Sequence, residues 1–99
     1  MPLLSVTDVE QRLTHLPAWT LSPGGEIVRE ASFKDFLAAM TFVNQVAVRA
    51  EDAGHHPDID IRYNKVRLAL TSHDAGGLTE KDFEMARGIE AILASGENG

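Results

Sequence analysis

The stretch Asp58-Ile59-Asp60-Ile61-Arg62-Tyr63-Asn64-Lys65-Val66-Arg67-Leu68-Ala69-Leu70-Thr71 decides the fold. Apolar and polar side chains alternate on both sides of Asn64-Lys65, with the period of two that a half-buried strand requires. Asn tolerates positive φ, so Asn64-Lys65 reads as a two-residue connection and the whole stretch as a β-hairpin. That turn sets Tyr63 against Val66, Ile61 against Leu68 and Ile59 against Leu70, which places the apolar side chains on one face. Carried outward, the same register sets Pro57 against Ser72 and His56 against His73. Directly opposed residues have Cβ atoms about 4.5–5.5 Å apart, so this pairing would bring two imidazoles together.

Immediately upstream lies Glu51-Asp52-Ala53-Gly54-His55-His56-Pro57. Gly54 suits the left-handed position past a helix end, and Pro57 forbids continuation of the helix. The helix itself opens at Ser32-Phe33-Lys34-Asp35, which reads as a capping box, and aligns Phe36, Ala39, Met40, Val43, Ala47 and Ala50 on one stripe. The histidine pair therefore falls where a rigid element gives way to an extended one, a common location for functional side chains.

Working toward the N-terminus, Glu26 to Ala31 and Ala18 to Leu21 read as two strands joined by the turn residues Ser22-Pro23-Gly24-Gly25. Before them, Ser5-Val6-Thr7-Asp8 is a capping box for a helix bearing Val6, Val9 and Leu13, stopped by Pro17. Downstream of the central hairpin, Asp74 to Leu78 is a loop. Thr79-Glu80-Lys81-Asp82 is a third capping box, and Phe83, Ala86, Ile89 and Leu93 form the stripe of a last helix. Residues 95–99 read as a frayed tail. The order α-β-β-α-β-β-α implies an α+β fold: a four-stranded antiparallel sheet with three helices packed on one face, in a single domain over 1–99.

Composition narrows the function. With 43% hydrophobic and 24% charged residues, the chain has the balance of a soluble globular domain. Its formal charge is -6, from 15 acidic and 9 basic residues, without a basic run; nucleic-acid binding, which draws on Lys and Arg clusters, is not expected. There is no cysteine, so thiolate catalysis, disulfides and Cys-ligated metal are excluded. The N-terminus lacks a basic segment followed by a long apolar one, and no apolar run approaches membrane-spanning length. A cytoplasmic protein without membrane association is expected.

Histidine is the side chain whose ordinary pKa, about 6.5, suits it to exchanging protons near neutral pH. His55, His56 and His73 form the candidate set, in an acidic surround that includes Glu51, Asp58 and Asp74. Three histidines are also a zinc-ligand set. Adjacent residues on an extended segment point to opposite faces, however, so His55 and His56 converge poorly on one ion and no metal site is expected. Asp82 occupies the capping-box acid position, as Asp8 and Asp35 do in the other helices, and reads first as structural.

The pattern Glu51-x3-His55-His56-Pro57-x5-Tyr63-x9-His73-x8-Asp82 resembles, at each position, the signature of the pterin-4a-carbinolamine dehydratases, or 4a-hydroxytetrahydrobiopterin dehydratases. Trp19, Phe33-Lys34-Asp35-Phe36, Tyr63-Asn64-Lys65-Val66 and Gly77-Leu78-Thr79 extend the resemblance over almost the whole chain. Two positions depart from it: Ser72 stands where Thr is frequent, and Ile59 where some members have an aromatic on the pocket rim.

The resemblance implies a dehydratase that converts a 4a-hydroxytetrahydropterin to quinonoid dihydropterin and water. His55, His56 and His73 would be the acid/base residues. Glu51, Pro57, Asp58, Ser72, Asp74 and Asp82 would support them or bind substrate. The pterin is the substrate, so no cofactor is implied. An aromatic amino acid hydroxylase would act in the same pathway, and assembly into homodimers or homotetramers is implied as well. The alternative is a non-catalytic interaction scaffold, since an animal member serves as a dimerisation cofactor for a transcription factor and a variant in photosynthetic organisms assists assembly of a carboxylase.

Overall fold

In the computed structural model, which describes residues 2–96, the elements run α1 (Val6–Leu13), β1 (Trp19–Leu21), β2 (Ile27–Ser32), α2 (Phe36–Ala53), β3 (Asp58–Arg62), β4 (Lys65–Leu70) and α3 (Glu80–Gly96). A single 3-10 turn, His73–Ala75, lies between β4 and α3. The four strands form one antiparallel sheet in the order β1-β2-β4-β3, as the α+β reading requires. The second hairpin is thus inserted so that β4 is paired on both sides while β1 and β3 are edges.

Alternation along the strands creates the inner face. Trp19, Ile27, Val66, Leu68 and Leu70 are buried and join Val9 of α1, Phe42, Val43 and Val46 of α2, and Phe83, Met85, Ala86 and Ile89 of α3 in one core. Each fully buried side chain of this size contributes about 1.5–3 kcal/mol relative to exposure. The last helix buries the expected row Phe83, Ala86 and Ile89, with Leu93 packed partly against it. On α2 the buried row is Ala39, Phe42, Val43, Val46 and Ala50. The expected stripe is therefore rotated: Phe36 and Ala47 are exposed, because α2 meets both the sheet and α3 and the contact line follows that joint surface.

The central hairpin needs a larger correction. Its two-residue connection is Tyr63-Asn64, one position earlier than expected, and Ile61 faces Val66, Ile59 faces Leu68 and Asp58 faces Ala69. Every pair slips by two positions, so the apolar face survives while the partners change. The cause lies on the far side of β4. Asn64 Nδ2 donates to the Phe33 carbonyl at 2.7 Å, and the Phe33 N–H donates to the Asn64 carbonyl at 2.9 Å, extending the ladder from β2. Asn64 is thereby held by β2, and Tyr63 takes the left-handed conformation, φ 54°. That conformation is uncommon for a bulky side chain.

The expected pairings of Pro57 with Ser72 and of His56 with His73 fail for the same reason. The β3–β4 ladder ends at Asp58 and Ala69, and the chain after Leu70 turns away, where Ser72 bridges instead to Gly77.

The helix starts follow local chemistry. Ser5 and Asp8 form the expected reciprocal capping box. At α2 the cap is Asp35, whose carboxylate accepts from the Ala38 N–H at 2.8 Å, whereas Ser32 is the last residue of β2. The reading of Ser32 as a capping residue is corrected accordingly, since the strand claims its backbone. Ser95 and Gly96 belong to α3, against the tail expected from 95; the rest of that expectation, residues 97–99, lies outside the described part. No helix among the described residues is long and apolar enough to cross a membrane.

Candidate functional site

The end of α2 fixes the first histidine. Gly54 adopts the left-handed conformation, φ 63°, and its N–H donates to the carbonyls of Ala50 and Glu51. The His55 N–H then donates to the Ala50 carbonyl at 3.1 Å. This is the paired closure of a Schellman motif, in which the residue after the left-handed one bonds back across the last turn. His55 is consequently locked by its backbone before its side chain makes any contact.

Its side chain meets the start of α3. His55 Nε2 lies 2.6 Å from Oδ1 of Asp82, a carboxylate with no solvent exposure. The other oxygen, Oδ2, accepts from the Thr79 N–H at 2.9 Å and from the Ser72 hydroxyl at 2.8 Å. Thr79 Oγ1 lies 2.8 Å from Ser72 Oγ and accepts from the Lys81 N–H at 3.3 Å.

These contacts assign the protons. A hydroxyl has one proton to give. Ser72 gives its own to Asp82, so Thr79 must donate to Ser72. Both donors occupy Oδ2, which leaves a single proton in the contact between Oδ1 and His55. With that proton on Nε2, His55 donates to Asp82 and the carboxylate fixes the orientation of the ring. No buried side-chain polar atom among the described residues lacks a partner, so the network is closed.

Asp82 thus fills the expected structural slot and a second one. As the capping-box acid it accepts from the Thr79 N–H, and at the same time it orients His55 from below. Thr79, read in sequence only as a helix cap, is a member of the network; its capping position is the signal that marks it.

The second histidine is held differently. His56 Nε2 lies 2.9 Å from Oε1 of Glu51, one turn back on α2, and these side chains are 61% and 81% exposed. His73 opens the 3-10 turn that follows Ser72 and is exposed. It adjoins the Asp82 network through its neighbour Ser72 rather than through pairing with His56. Pro57 is buried beside the pair, whereas Asp58 and Asp74 are exposed, and neither makes a side-chain hydrogen bond among the described residues. The structure therefore joins His55, Asp82, Ser72 and Thr79 in one unit and His56 with Glu51 in another.

Fold and site together define a small α+β domain that presents histidines, one of them braced by a buried carboxylate, at a helix–strand junction: a centre suited to proton transfer. The comparisons with known proteins are more specific. Residues 2–92 match the family model for pterin 4 alpha carbinolamine dehydratase, and the chain belongs to that family of hydro-lyases. A relative from Acidobacterium capsulatum, provisionally named a pterin-4-alpha-carbinolamine dehydratase, is 62% identical over 94% of this chain and its own full length. One from Chloroflexus aggregans with the same provisional name is 56% identical over 94% of this chain and 99% of its own. Among solved structures, a transcriptional coactivator/pterin dehydratase from Brucella melitensis superposes with a TM-score of 0.86 at 38% identity, covering 90% of this chain and 96% of that one. A pterin dehydratase-like RuBisCO assembly factor of the alpha-carboxysome has a TM-score of 0.65 at 19% identity, over 76% of this chain and 88% of its own, and shares the fold.

Proposed function

We propose that the chain dehydrates a 4a-hydroxytetrahydropterin by histidine acid/base catalysis. The observation that supports this most is the closed network from Thr79 through Ser72 and Asp82 to His55, with His73 adjoining it at Ser72. In the reaction the C4a–O bond breaks, the N5–H proton is removed and an N5=C4a double bond forms, giving quinonoid dihydropterin and water. One group protonates the departing hydroxyl and another accepts the N5 proton, and paired general acid and base assistance of this kind contributes about 10²–10⁴-fold per group. His55, His56 and His73 supply these groups. Asp82 holds His55 in orientation, Ser72 fixes Asp82, and Glu51 pairs with His56 at the surface. The elimination breaks one C–O bond with help from two proton transfers and needs no external electrons, so in this reading the pterin is substrate and side chains suffice without a cofactor.

The family setting supports a role in recycling a tetrahydropterin oxidised by a hydroxylase, in the cytoplasm. Assembly into a homodimer or homotetramer is part of the proposal. It is supported by the exposed apolar side chains Phe36, Leu37 and Val48 on α2 and by the open edge of β3, where Ile59 is partly exposed.

Turnover of 4a-hydroxytetrahydropterin by the native chain, compared with His56→Ala and His73→Ala, tests the reading. Activity in the native protein and a loss of tenfold or more in both variants is the expected result; an inactive native chain, or unchanged variants, would overturn it. The second reading, a non-catalytic scaffold, is favoured by the same exposed apolar face of α2. An inactive native chain that still assembles would support it.

A further inference from the structure

The C-terminal half of α2 and the length of α3 enclose a groove of about 600 Å³, and His55 stands in its wall. On α2 the groove is lined by Arg49 and Ala53, one turn apart. On α3 it is lined by Lys81, Glu84, Gly88 and Ala91, a single helical stripe rising about 15 Å at roughly 1.5 Å per residue. Arg87 stands at its margin.

The charge of this groove opposes that of the chain. The protein as a whole is at -6, yet Arg49, Lys81 and Arg87 face the groove against one carboxylate, Glu84. Arg87 is engaged with Glu80 at 3.4 Å. Among the described residues Arg49 and Lys81 make no ion pair, so two cations remain uncommitted beside His55. Cations concentrated in a cleft raise the local potential and select for anions.

Gly88 lets one of these cations rest close against α3. A Cβ at Gly88 would overlap Nε, Cζ and Nη2 of Arg49. The guanidinium lies directly on the α3 backbone, in a lane that only glycine leaves open. Glycine costs a helix interior about 0.5–1 kcal/mol relative to alanine, and at this position it leaves room for the Arg49 guanidinium.

We infer that this groove is an anion subsite of the same centre and takes a phosphate or carboxylate carried on the side chain of the pterin. For its substrate the inference rests on the dehydratase reading; for its charge it rests on the groove alone. With the ring held at His55, a flexible side chain runs along the α3 stripe, and its terminal anion meets Arg49 and Lys81. A guanidinium provides paired N–H donors that match either anion.

The test compares two 4a-hydroxytetrahydropterins with the same ring, one with a neutral hydroxylated side chain and one with that side chain phosphorylated. In the native chain kcat/KM is expected to favour the phosphorylated substrate by about tenfold, through KM, which is the effect of one charge-assisted contact of roughly 1.4 kcal/mol. The combined variant Arg49→Gln and Lys81→Gln should bring the ratio close to one. Gly88→Ala retains every charge and favours the helix, yet displaces the guanidinium, and should lower the ratio as well. A native ratio of one, or a ratio indifferent to the combined variant, would overturn the inference. If neither pterin is dehydrated, the dehydratase reading has failed and the subsite is judged by NMR titration with inorganic phosphate. Saturable shifts at the amides of Arg49, Lys81 and Gly88 would support it, and their absence would overturn it.

Discussion

His55 and His56 are neighbours in sequence, and each has its Nε2 within hydrogen-bond distance of a carboxylate, yet the two contacts are physically unlike. The His55 side chain is 13% exposed against a fully buried Asp82 whose second oxygen is already committed to Ser72 and Thr79. The His56 side chain is 61% exposed against an 81% exposed Glu51. Water and salt weaken the second contact and leave both partners rotamer freedom, while the first is insulated and over-determined. Proximity in the chain does not make a functional pair equivalent: one histidine is held as part of the fold, and the other is free to follow a ligand.

The most severe way to break this contrast is Asp82→Ala. It orphans the Thr79 N–H, the Ser72 hydroxyl and His55 together, and each buried donor left without a partner costs about 1–3 kcal/mol. Urea unfolding should show a loss of that order, together with loss of turnover; a change below about 1 kcal/mol would mean that the network does not hold the fold.

Next in size is the catalytic comparison of the two histidines. His56→Ala should reduce kcat by about 10²-fold or more while leaving stability within roughly 0.5 kcal/mol of native. His55→Ala should lose both activity and stability, because it leaves the Asp82 carboxylate without its third partner. Parallel kinetic and unfolding measurements separate the two, and equal stability losses would erase the distinction.

A third test uses the half-buried counterpart of Asp82 on the same helix, Glu80. Glu80 accepts from Arg12 Nε at 2.9 Å and lies 3.4 Å from Arg87. The hydrogen bond from Arg12 is the chief cause that lowers the Glu80 pKa, opposed by slight burial and aided by the charges of Arg12 and Arg87. A depressed carboxyl stabilises the fold above its unfolded pKa, about 4.3 for glutamate, and loses that contribution as pH falls through the lower folded value. Arg12→Ala should therefore flatten the acid side of a plot of melting temperature against pH, and an unaltered slope would count against the link between α1 and α3. The smallest effect is expected of Glu51→Ala, which should leave the melting temperature unchanged and lower turnover only a few-fold, because its contact with His56 is exposed to water.

The capping box at Ser5, the end of α2 at Gly54 and the inner row of α3 were legible because each depends on residues within a few positions of one another. The hairpin register was not. Alternation with period two specifies which face a side chain occupies but is indifferent to a slip of two, so Tyr63-Asn64 and Asn64-Lys65 satisfy it equally. The bonds between Asn64 and Phe33 break the tie, and they cross from another strand. For the same reason, the expected link between His56 and His73 had no support in the fold.

The inventory and its order could be read directly from the residues: α-β-β-α-β-β-α, a histidine pair at a helix end with a third histidine beyond the next hairpin, an acid at the start of α3, and the family pattern that unites them. Which of these residues touch one another followed from packing. Packing of α3 beside α2 places Asp82 under His55, and the bend after β4 brings Ser72 to the same carboxylate. Local patterns encode periodicity and caps, whereas a buried network depends on the close approach of segments distant along the chain, which follows from how the whole core closes.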